Sequence, residues 1–309
     1  MSKSGGLAEA DRLFSEGTKL INPSVLALRF KAQWSTATPL FERAGLLYRQ
    51  HGELAQARTA FERAAKGQER QNSGWHAAKN WEKAADIARA QSDAAGIESC
   101  SLAAAEQYCG EGRLPAAADA AVKGARALET LAPEVATKLY AKAIEWLEDS
   151  GKDGTSGDTY RLAIAHAVRG ARWEVAGPLL LRFAASCDAA GASSSQAKAY
   201  LGAVVVWLSA ARPKEAWAVY QDALAVSAFC TSNEAFAAEA LFDAYRTAFP
   251  AAVAAAVSGN QAFLHLDNQL ARLAKKLGEG PVAEIEAALP GGGGPPRLQA
   301  AEAGEEDLT

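Results

Sequence analysis

The chain has 309 residues, a hydrophobic fraction of 49% and a formal net charge of −4, from 32 basic and 36 acidic side chains. This near balance argues against nucleic-acid binding, which usually requires a strongly basic chain. The length suffices for one large or two ordinary domains. Alanine, a strong helix former, dominates the apolar residues, and the best run of β-branched residues is only Ala203–Leu208. The composition therefore predicts an all-α protein.

The four cysteines do not have the spacing of a disulfide framework. Cys100, Cys109, Cys187 and Cys230 show no C-x-x-C spacing, so we interpret them as reduced thiols. The N-terminus has no apolar signal segment, and the longest apolar stretch, Ala248–Val257, is too short to span a bilayer. These features predict a soluble, cytosolic protein.

Glycine and proline separate the segments with helical periodicity and so place the predicted helices. Pro133 and Pro213 stand at helix starts, where proline is tolerated. In chain order, helices are predicted near residues 7–19, 35–51, 53–71, 75–90, 94–109, 114–131, 133–149, 158–170, 173–190, 194–211, 213–229, 233–247 and 260–277. We expect Lys152–Gly157 to be a loop and residues 280–309, which include the run Gly291–Gly294, to be a tail.

A repeat of 20 residues is the clearest internal signal in the first third of the chain. Phe41-Glu42-Arg43-Ala44 recurs as Phe61-Glu62-Arg63-Ala64 and as Trp81-Glu82-Lys83-Ala84. An alanine precedes each ring by four residues, which puts both side chains on one helix face, where a neighbouring helix can approach closely. Two such units make an antiparallel hairpin of the kind that tetratricopeptide and HEAT arrays repeat.

The predicted architecture is therefore an all-α, tetratricopeptide-like solenoid of helical hairpins. We predict that the hairpin array covers residues 1–232. A C-terminal helical bundle would cover residues 233–289, and a flexible acidic tail rich in glycine and proline would cover residues 290–309.

Motifs for catalysis, metals and cofactors are missing from the sequence. His51, His76, His166 and His265 are isolated, and there is no H-E-x-x-H motif, P-loop, dinucleotide fingerprint or nucleophile elbow. We predict no catalytic residue, no metal and no cofactor. One open alternative is a generic tetratricopeptide-like scaffold or co-chaperone that binds peptide tails, although its basic columns would fall here mostly on alanine. The other, an all-α enzyme, lacks the clustered carboxylates it would need.

The helical array together with the end of the chain resembles a known family. Glu305-Glu306-Asp307-Leu308-Thr309 is an acidic cluster with a penultimate leucine, as in the soluble NSF attachment proteins. Glu234–Leu277 is also similar to that family. Pro290-Gly291-Gly292-Gly293 and Phe30–Ala90 resemble its gamma type. The resemblance implies a non-enzymatic adaptor that binds assembled SNARE complexes and recruits and stimulates the NSF ATPase for SNARE disassembly in vesicle trafficking and membrane fusion.

The resemblance also implies an NSF contact and a membrane contact. The NSF contact would consist of Glu305, Glu306, Asp307 and Leu308. The membrane contact would lie in residues 20–34, where apolar side chains alternate with Arg29 and Lys31, a mixture that suits an anionic bilayer surface. Its candidate residues are Leu26, Leu28, Phe30 and Trp34. The alternative for this segment is a short helix folded onto the first hairpin. The adaptor would be cytoplasmic, and peripheral on membranes when it is bound to SNAREs.

Basic residues are the candidates for SNARE contact. Arg43, Lys83 and Lys123 recur at 40-residue spacing, and each follows the repeat ring position by two, about 200° around the helix. They are therefore predicted to point outward and to complement an acidic SNARE bundle. Further candidates are Arg161, Arg169 and Arg172. An ordinary solvated face is the alternative for each. One position departs from the family, because Glu134 is followed by Val135 rather than by a basic residue.

Overall fold

The computed structural model describes residues 3–22, 31–151 and 156–290, and every regular element within these ranges is a helix. The all-α prediction is confirmed. The helices are α1 (Lys3–Ile21), α2 (Trp34–His51), α3 (Leu54–Glu69), α4 (Gly74–Ala90), α5 (Ala94–Gly110), α6 (Leu114–Leu128), α7 (Pro133–Asp149), α8 (Gly157–Arg169), α9 (Trp173–Ala189), α10 (Ser193–Ser209), α11 (Pro213–Leu224), α12 (Ser227–Cys230), α13 (Asn233–Arg246), α14 (Pro250–Ser258), α15 (Gln261–Leu264), α16 (Asn268–Ala274) and α17 (Val282–Ala288), with a 3-10 helix at Leu277–Glu279.

The chain divides into two compact units, residues 1–152 and 153–309. The predicted division into an array, a bundle and a tail at residues 232 and 289 stays a prediction.

In the first unit, each helix from α1 to α7 packs against the next one along the chain. Helices α2 to α7 have 15 to 18 residues, so a helix and a short turn together fill the 20-residue repeat. Gly52 directly follows α2 and has a φ of 83°, and Gly112 follows α5 and has a φ of 69°. Both lie in the left-handed region, which glycine adopts without a steric penalty. The short turns make consecutive helices antiparallel.

The repeat residues form the core of this unit. Ala37, Phe41 and Ala44 are fully buried, and so are the equivalent residues of α3. Each ring needs a small residue opposite: a Cβ added to Gly45 would lie 3.0 Å from the Phe61 ring. Trp81 differs, because it is only partly buried and its indole Nε1 donates to Glu69 Oε1 at 2.6 Å.

In the second unit, α8 to α11 pack in sequence, and α10 also contacts α12, α13 and α16. Every residue of Ala203–Leu208 is buried in α10. A helix surrounded by other helices is apolar on all sides, which explains why this run contains valine without being a strand.

The C-terminal helices differ from the sequence prediction. The helix predicted at 213–229 ends at Leu224, and the one predicted at 260–277 is divided into α15, α16 and the 3-10 helix. Two helices, α14 and α17, were not predicted; α17 lies within the range 233–289 predicted as a helical bundle, in the part from residue 280 onward that was expected to be a tail. Their buried residues are few: Val253 and Val257 in α14, Val282 and Ile285 in α17. Two buried residues per helix give too weak a period to identify a helix in an alanine-rich background.

Candidate functional site

Alternate helices of the first unit lie side by side and form two layers. Asn80 of α4 donates its Nδ2–H to Glu42 Oε1 of α2 at 2.8 Å, and Lys123 Nζ of α6 is 3.8 Å from Glu82 Oε1 of α4. We term α2, α4 and α6 the even layer. The odd layer is α3, α5 and α7, in which Arg58 of α3 bonds to Asp93 at the start of α5.

The two layers carry opposite net charge. The even layer contains seven Lys and Arg residues against four Asp and Glu, a net charge of +3. The odd layer contains five basic and eight acidic residues, a net charge of −3. The basic residues of the even layer are Arg43, Arg49, Lys79, Lys83, Arg89, Lys123 and Arg126. The even layer is thus an extended basic surface within a chain that is acidic overall.

Two of the three predicted SNARE-contact residues in this layer point outward. Arg43 is exposed, with its guanidinium 2.6 Å from Glu9 Oε1. Lys123 is exposed, with Nζ 2.7 Å from Asp119 Oδ2, and this hydrogen bond raises the pKa of Lys123. Lys83 is instead partly buried, because its Nζ lies 5.3 Å from the centre of the Phe61 ring. The prediction of an outward side chain was therefore wrong for Lys83.

Two exposed arginines of the even layer were not among the SNARE-contact residues predicted from the sequence. Arg49 and Arg126 are exposed, and neither forms a salt bridge within the described ranges. Arg126 follows Lys123 by three residues, and Arg49 is repeated by Arg89 at 40-residue spacing. Extending the 40-residue repeat to this position would have identified Arg49, and the spacing of three residues from Lys123, which puts two residues on one helix face, would have identified Arg126.

The predicted basic residues of the second unit are spread over α8 and the turn after it. Arg161 lies near the start of α8, 3.0 Å from Asp158 Oδ1 and 5.4 Å from the Phe183 ring centre. Arg169 is the last residue of that helix, and Arg172 has Nη1 3.3 Å from His166 Nε2. Arg161 thus lies near one end of α8, and Arg169 and Arg172 lie at the other end.

The remaining predicted sites lie mainly outside the described residues. This applies to Leu26, Leu28 and Phe30 of the membrane contact and to Glu305, Glu306, Asp307 and Leu308 of the NSF contact. Trp34 is described: it begins α2, is partly buried, and lies 5.1 Å from the Arg70 guanidinium. Trp34 therefore packs against the end of α3.

The same described ranges offer neither a metal site nor a membrane-spanning helix. They contain no group of three His, Cys, Asp or Glu side chains arranged to hold a metal ion. Their helices also include none with the length and apolar character needed to cross a membrane.

The fold and the charged layers define a class: a helical-repeat protein whose candidate site is an extended basic surface. Residues 8–169 match the family model described as soluble NSF attachment protein, SNAP. The gamma-soluble NSF attachment protein of Arabidopsis thaliana is 33% identical over 90% of this chain and 95% of its own length. That of Dictyostelium discoideum is 26% identical over 89% of this chain and 84% of its own length. The chain belongs to the soluble NSF attachment protein family, and the predicted likeness to the gamma type is confirmed.

Comparison with solved structures gives more distant matches. BtubC from P. vanneervenii aligns with a TM-score of 0.36 and 14% identity over 74% of this chain and 92% of BtubC. A circular tandem repeat protein aligns with a TM-score of 0.38 and 13% identity over 82% of this chain and 83% of that protein. The family membership rests on the sequence matches.

Proposed function

We propose that this protein is an adaptor that binds assembled SNARE complexes through the even layer, recruits the NSF ATPase and stimulates it for SNARE disassembly. The observation that carries the proposal is the separation of charge, +3 on the even layer against −3 on the odd layer. A long basic surface complements an acidic helical bundle, and this complementarity favours both rapid association and correct orientation.

The even layer supplies the side chains for this contact. Arg43 and Lys123 are exposed, and Arg49 and Arg126 extend the same surface. Lys123 forms an exposed ion pair with Asp119 within α6, so its ammonium group is accessible to a partner. Lys83, which packs against the Phe61 ring, contributes mainly to the packing of α4 on α3.

The other two contacts are proposed from the family. Glu305, Glu306, Asp307 and Leu308 would contact NSF, with an acidic segment meeting a basic surface and leucine adding one apolar anchor. Leu26, Leu28, Phe30 and Trp34 would contact the membrane, so that the protein is cytoplasmic and peripheral on membranes when bound to SNAREs. The chain itself performs no catalytic step in this proposal, because ATP hydrolysis belongs to NSF.

A co-sedimentation and ATPase assay tests the proposal. NSF and an assembled SNARE complex are mixed with the intact chain, with Leu308→Ala, or with the matched control Leu298→Ala. We expect the intact chain and the control to recruit NSF and to raise SNARE-dependent ATP hydrolysis. Leu308→Ala should keep SNARE binding and lose stimulation. An intact chain that neither binds the SNARE complex nor recruits NSF would refute the adaptor function.

A further inference from the structure

We propose that one edge of the first unit binds the surface of an anionic lipid bilayer. Because consecutive helices are antiparallel, α2, α4 and α6 all begin at this edge, and α1, α3 and α5 end there; we term it the start edge. The proposal rests on one part of the proposed function, the membrane contact in residues 26–34, and extends that contact along the start edge to the turns before α4 and α6.

Contacts between neighbouring turns make the start edge continuous. The Gln71 side chain, which follows α3, donates to Thr38 Oγ1 in α2 at 3.2 Å. The backbone N–H of Gly74, the first residue of α4, donates at 3.0 Å to Glu111 Oε1 in the turn after α5. The turns before α4 and α6 therefore lie side by side, and the first of them also lies against the beginning of α2.

The segments that connect helices differ in charge between the two edges. At the start edge they are residues 22–33, 70–73 and 111–113. At the opposite edge they are residues 52–53, 91–93 and 129–132. The first set contains four basic residues and one acidic residue, a net charge of +3, and the second contains three acidic residues and no Lys or Arg, a net charge of −3. An anionic bilayer surface therefore attracts the start edge and repels the opposite edge.

The basic residues of the start edge are accessible to lipid headgroups. Lys31, Arg70 and Arg113 are exposed, and none of them forms a salt bridge within the described residues. The acidic residue next to Arg70 in the sequence, Glu69, is partly buried and accepts a hydrogen bond from the Trp81 indole at 2.6 Å. The described part of the chain therefore does not neutralise these cations.

Trp75 adds an exposed aromatic ring to this basic edge. It is the second residue of α4 and is 39% exposed, and Lys79 Nζ lies 5.9 Å from the centre of its ring. Trp34, the first residue of α2, has the Arg70 guanidinium 5.1 Å from its ring. Tryptophan is enriched at membrane–water interfaces, where its apolar ring and its polar N–H each find a suitable environment. Two tryptophans with cations beside them thus suit the start edge to a bilayer surface.

Binding through the start edge leaves the face of the even layer free. Arg49 and Arg126 lie in the last turns of α2 and α6, at the other ends of these helices. Helix α6, with 15 residues, is about 22 Å long, whereas the Debye length at physiological salt is about 8 Å. The charges at the two ends of the even layer therefore act separately, and a bilayer and a partner of the even layer can bind at the same time.

Sedimentation of the full chain with vesicles tests the role of the charges. The vesicles consist of phosphatidylcholine with about one third phosphatidylserine, or of phosphatidylcholine alone. We expect the unchanged chain to prefer the anionic vesicles and Arg70→Glu/Arg113→Glu to bind them at least about tenfold more weakly. The matched control Arg49→Glu/Arg126→Glu makes the same change in net charge at the other ends of the helices and should stay within about twofold. Helical content and Tm verify that each variant is folded.

Trp75→Ala tests the aromatic contact independently of charge. We expect it to bind the anionic vesicles about fivefold more weakly, because a large apolar ring is removed from the interface. Its control is Leu131→Ala, which shortens a 47% exposed apolar side chain at the opposite edge and should stay within about twofold. Amide hydrogen exchange locates the contact directly: residues 70–73 and 111–113 should exchange more slowly on anionic vesicles, and residues 129–132 should not.

The outcomes separate the start edge from the rest of the proposed function. If Arg70→Glu/Arg113→Glu and Trp75→Ala bind anionic vesicles like the unchanged chain, the start edge is overturned and the adaptor function stands. If the unchanged chain does not bind anionic vesicles, the membrane contact of the proposed function fails together with the start edge. Binding of an assembled SNARE complex in solution should stay within about twofold in Arg70→Glu/Arg113→Glu. A larger loss there would assign these arginines to the SNARE contact instead of the bilayer.

Discussion

Single residues of the first unit couple the start of one helix to the face of another. Asp93 precedes α5, accepts a hydrogen bond from the Gly96 N–H at 3.1 Å and bonds to the Arg58 guanidinium of α3. Arg58 in turn lies 2.8 Å from Glu62 Oε1. The Arg58 hydrogen bond, followed by that from Gly96, lowers the pKa of Asp93 below its usual value. One carboxylate therefore both caps a helix and fixes its register against the next helix of the odd layer.

The lowered pKa of Asp93 has a consequence for stability against pH. Because the folded pKa is below the unfolded pKa, the ionised carboxylate stabilises the folded chain above its unfolded pKa, and this contribution is lost as the pH falls through the folded pKa. We expect Asp93→Asn, which can still cap the helix, to lower the free energy of unfolding at neutral pH and to weaken its dependence on pH in the acid range.

Urea unfolding at a series of pH values, from neutral to about pH 3, checks this expectation. The control is Asp86→Asn, which removes a carboxylate from an exposed pair with Arg89 and should change stability little. An Asp93→Asn variant with the same acid dependence as the unchanged chain would contradict the role of Asp93.

Whole helices, rather than single positions, carry the charge pattern. Helices α2, α4 and α6 of the even layer each carry a net charge of +1, whereas α5 and α7 of the odd layer each carry −2, which outweighs the +1 of α3. Residues 40 apart thus become neighbours on one surface. The basic surface therefore depends on the order in which the helices follow one another along the chain, and each helix of the even layer contributes to it.

Charge reversal in the two layers should therefore have unequal effects. We expect the double variant Arg49→Glu/Arg126→Glu to bind an assembled SNARE complex at least about tenfold more weakly, because it reverses two exposed residues of the even layer. The dependence of binding on salt should also become smaller. Lys66→Glu/Lys138→Glu makes the same change in net charge on exposed residues of the odd layer and should stay within about twofold. Equal losses in both variants would mean that net charge alone, not its arrangement, governs binding.

At the scale of the whole molecule, the two compact units have cores of their own. The core clusters that contain Phe41, Phe61, Tyr108 and Leu147 draw all their members from the first unit. In the second unit, ring contacts join Trp217, Tyr220 and Phe242 at 5.0 to 5.6 Å between centres. A unit whose core is complete within its own sequence is able to fold independently.

The fragment of residues 1–152 tests this independence. We expect it to be helical by circular dichroism and to unfold cooperatively, because it keeps α1 to α7 and their core. It should bind an assembled SNARE complex with the same sensitivity to Arg126→Glu as the full chain, and it should not recruit NSF, since it lacks residues 305–308. Binding that requires residues 153–309 would show that the even layer is not a sufficient site. The full chain and the fragment of residues 153–309 are measured alongside.

The sequence by itself determined the all-α class, the repeat and the helices from α2 to α10 within a few residues, because helix periodicity and turn residues are local signals. It also predicted that Arg43 and Lys123 point outward, and it identified the family. Only the tertiary structure decided that Lys83 packs against Phe61 and that Arg49 and Arg126 belong to the same surface. These features depend on contacts between residues 20 or 40 apart, which form only when helices pack. A periodic pattern states which face of a helix is apolar, but the partner of that face, and the surface left outside, are set by the packing of the other helices.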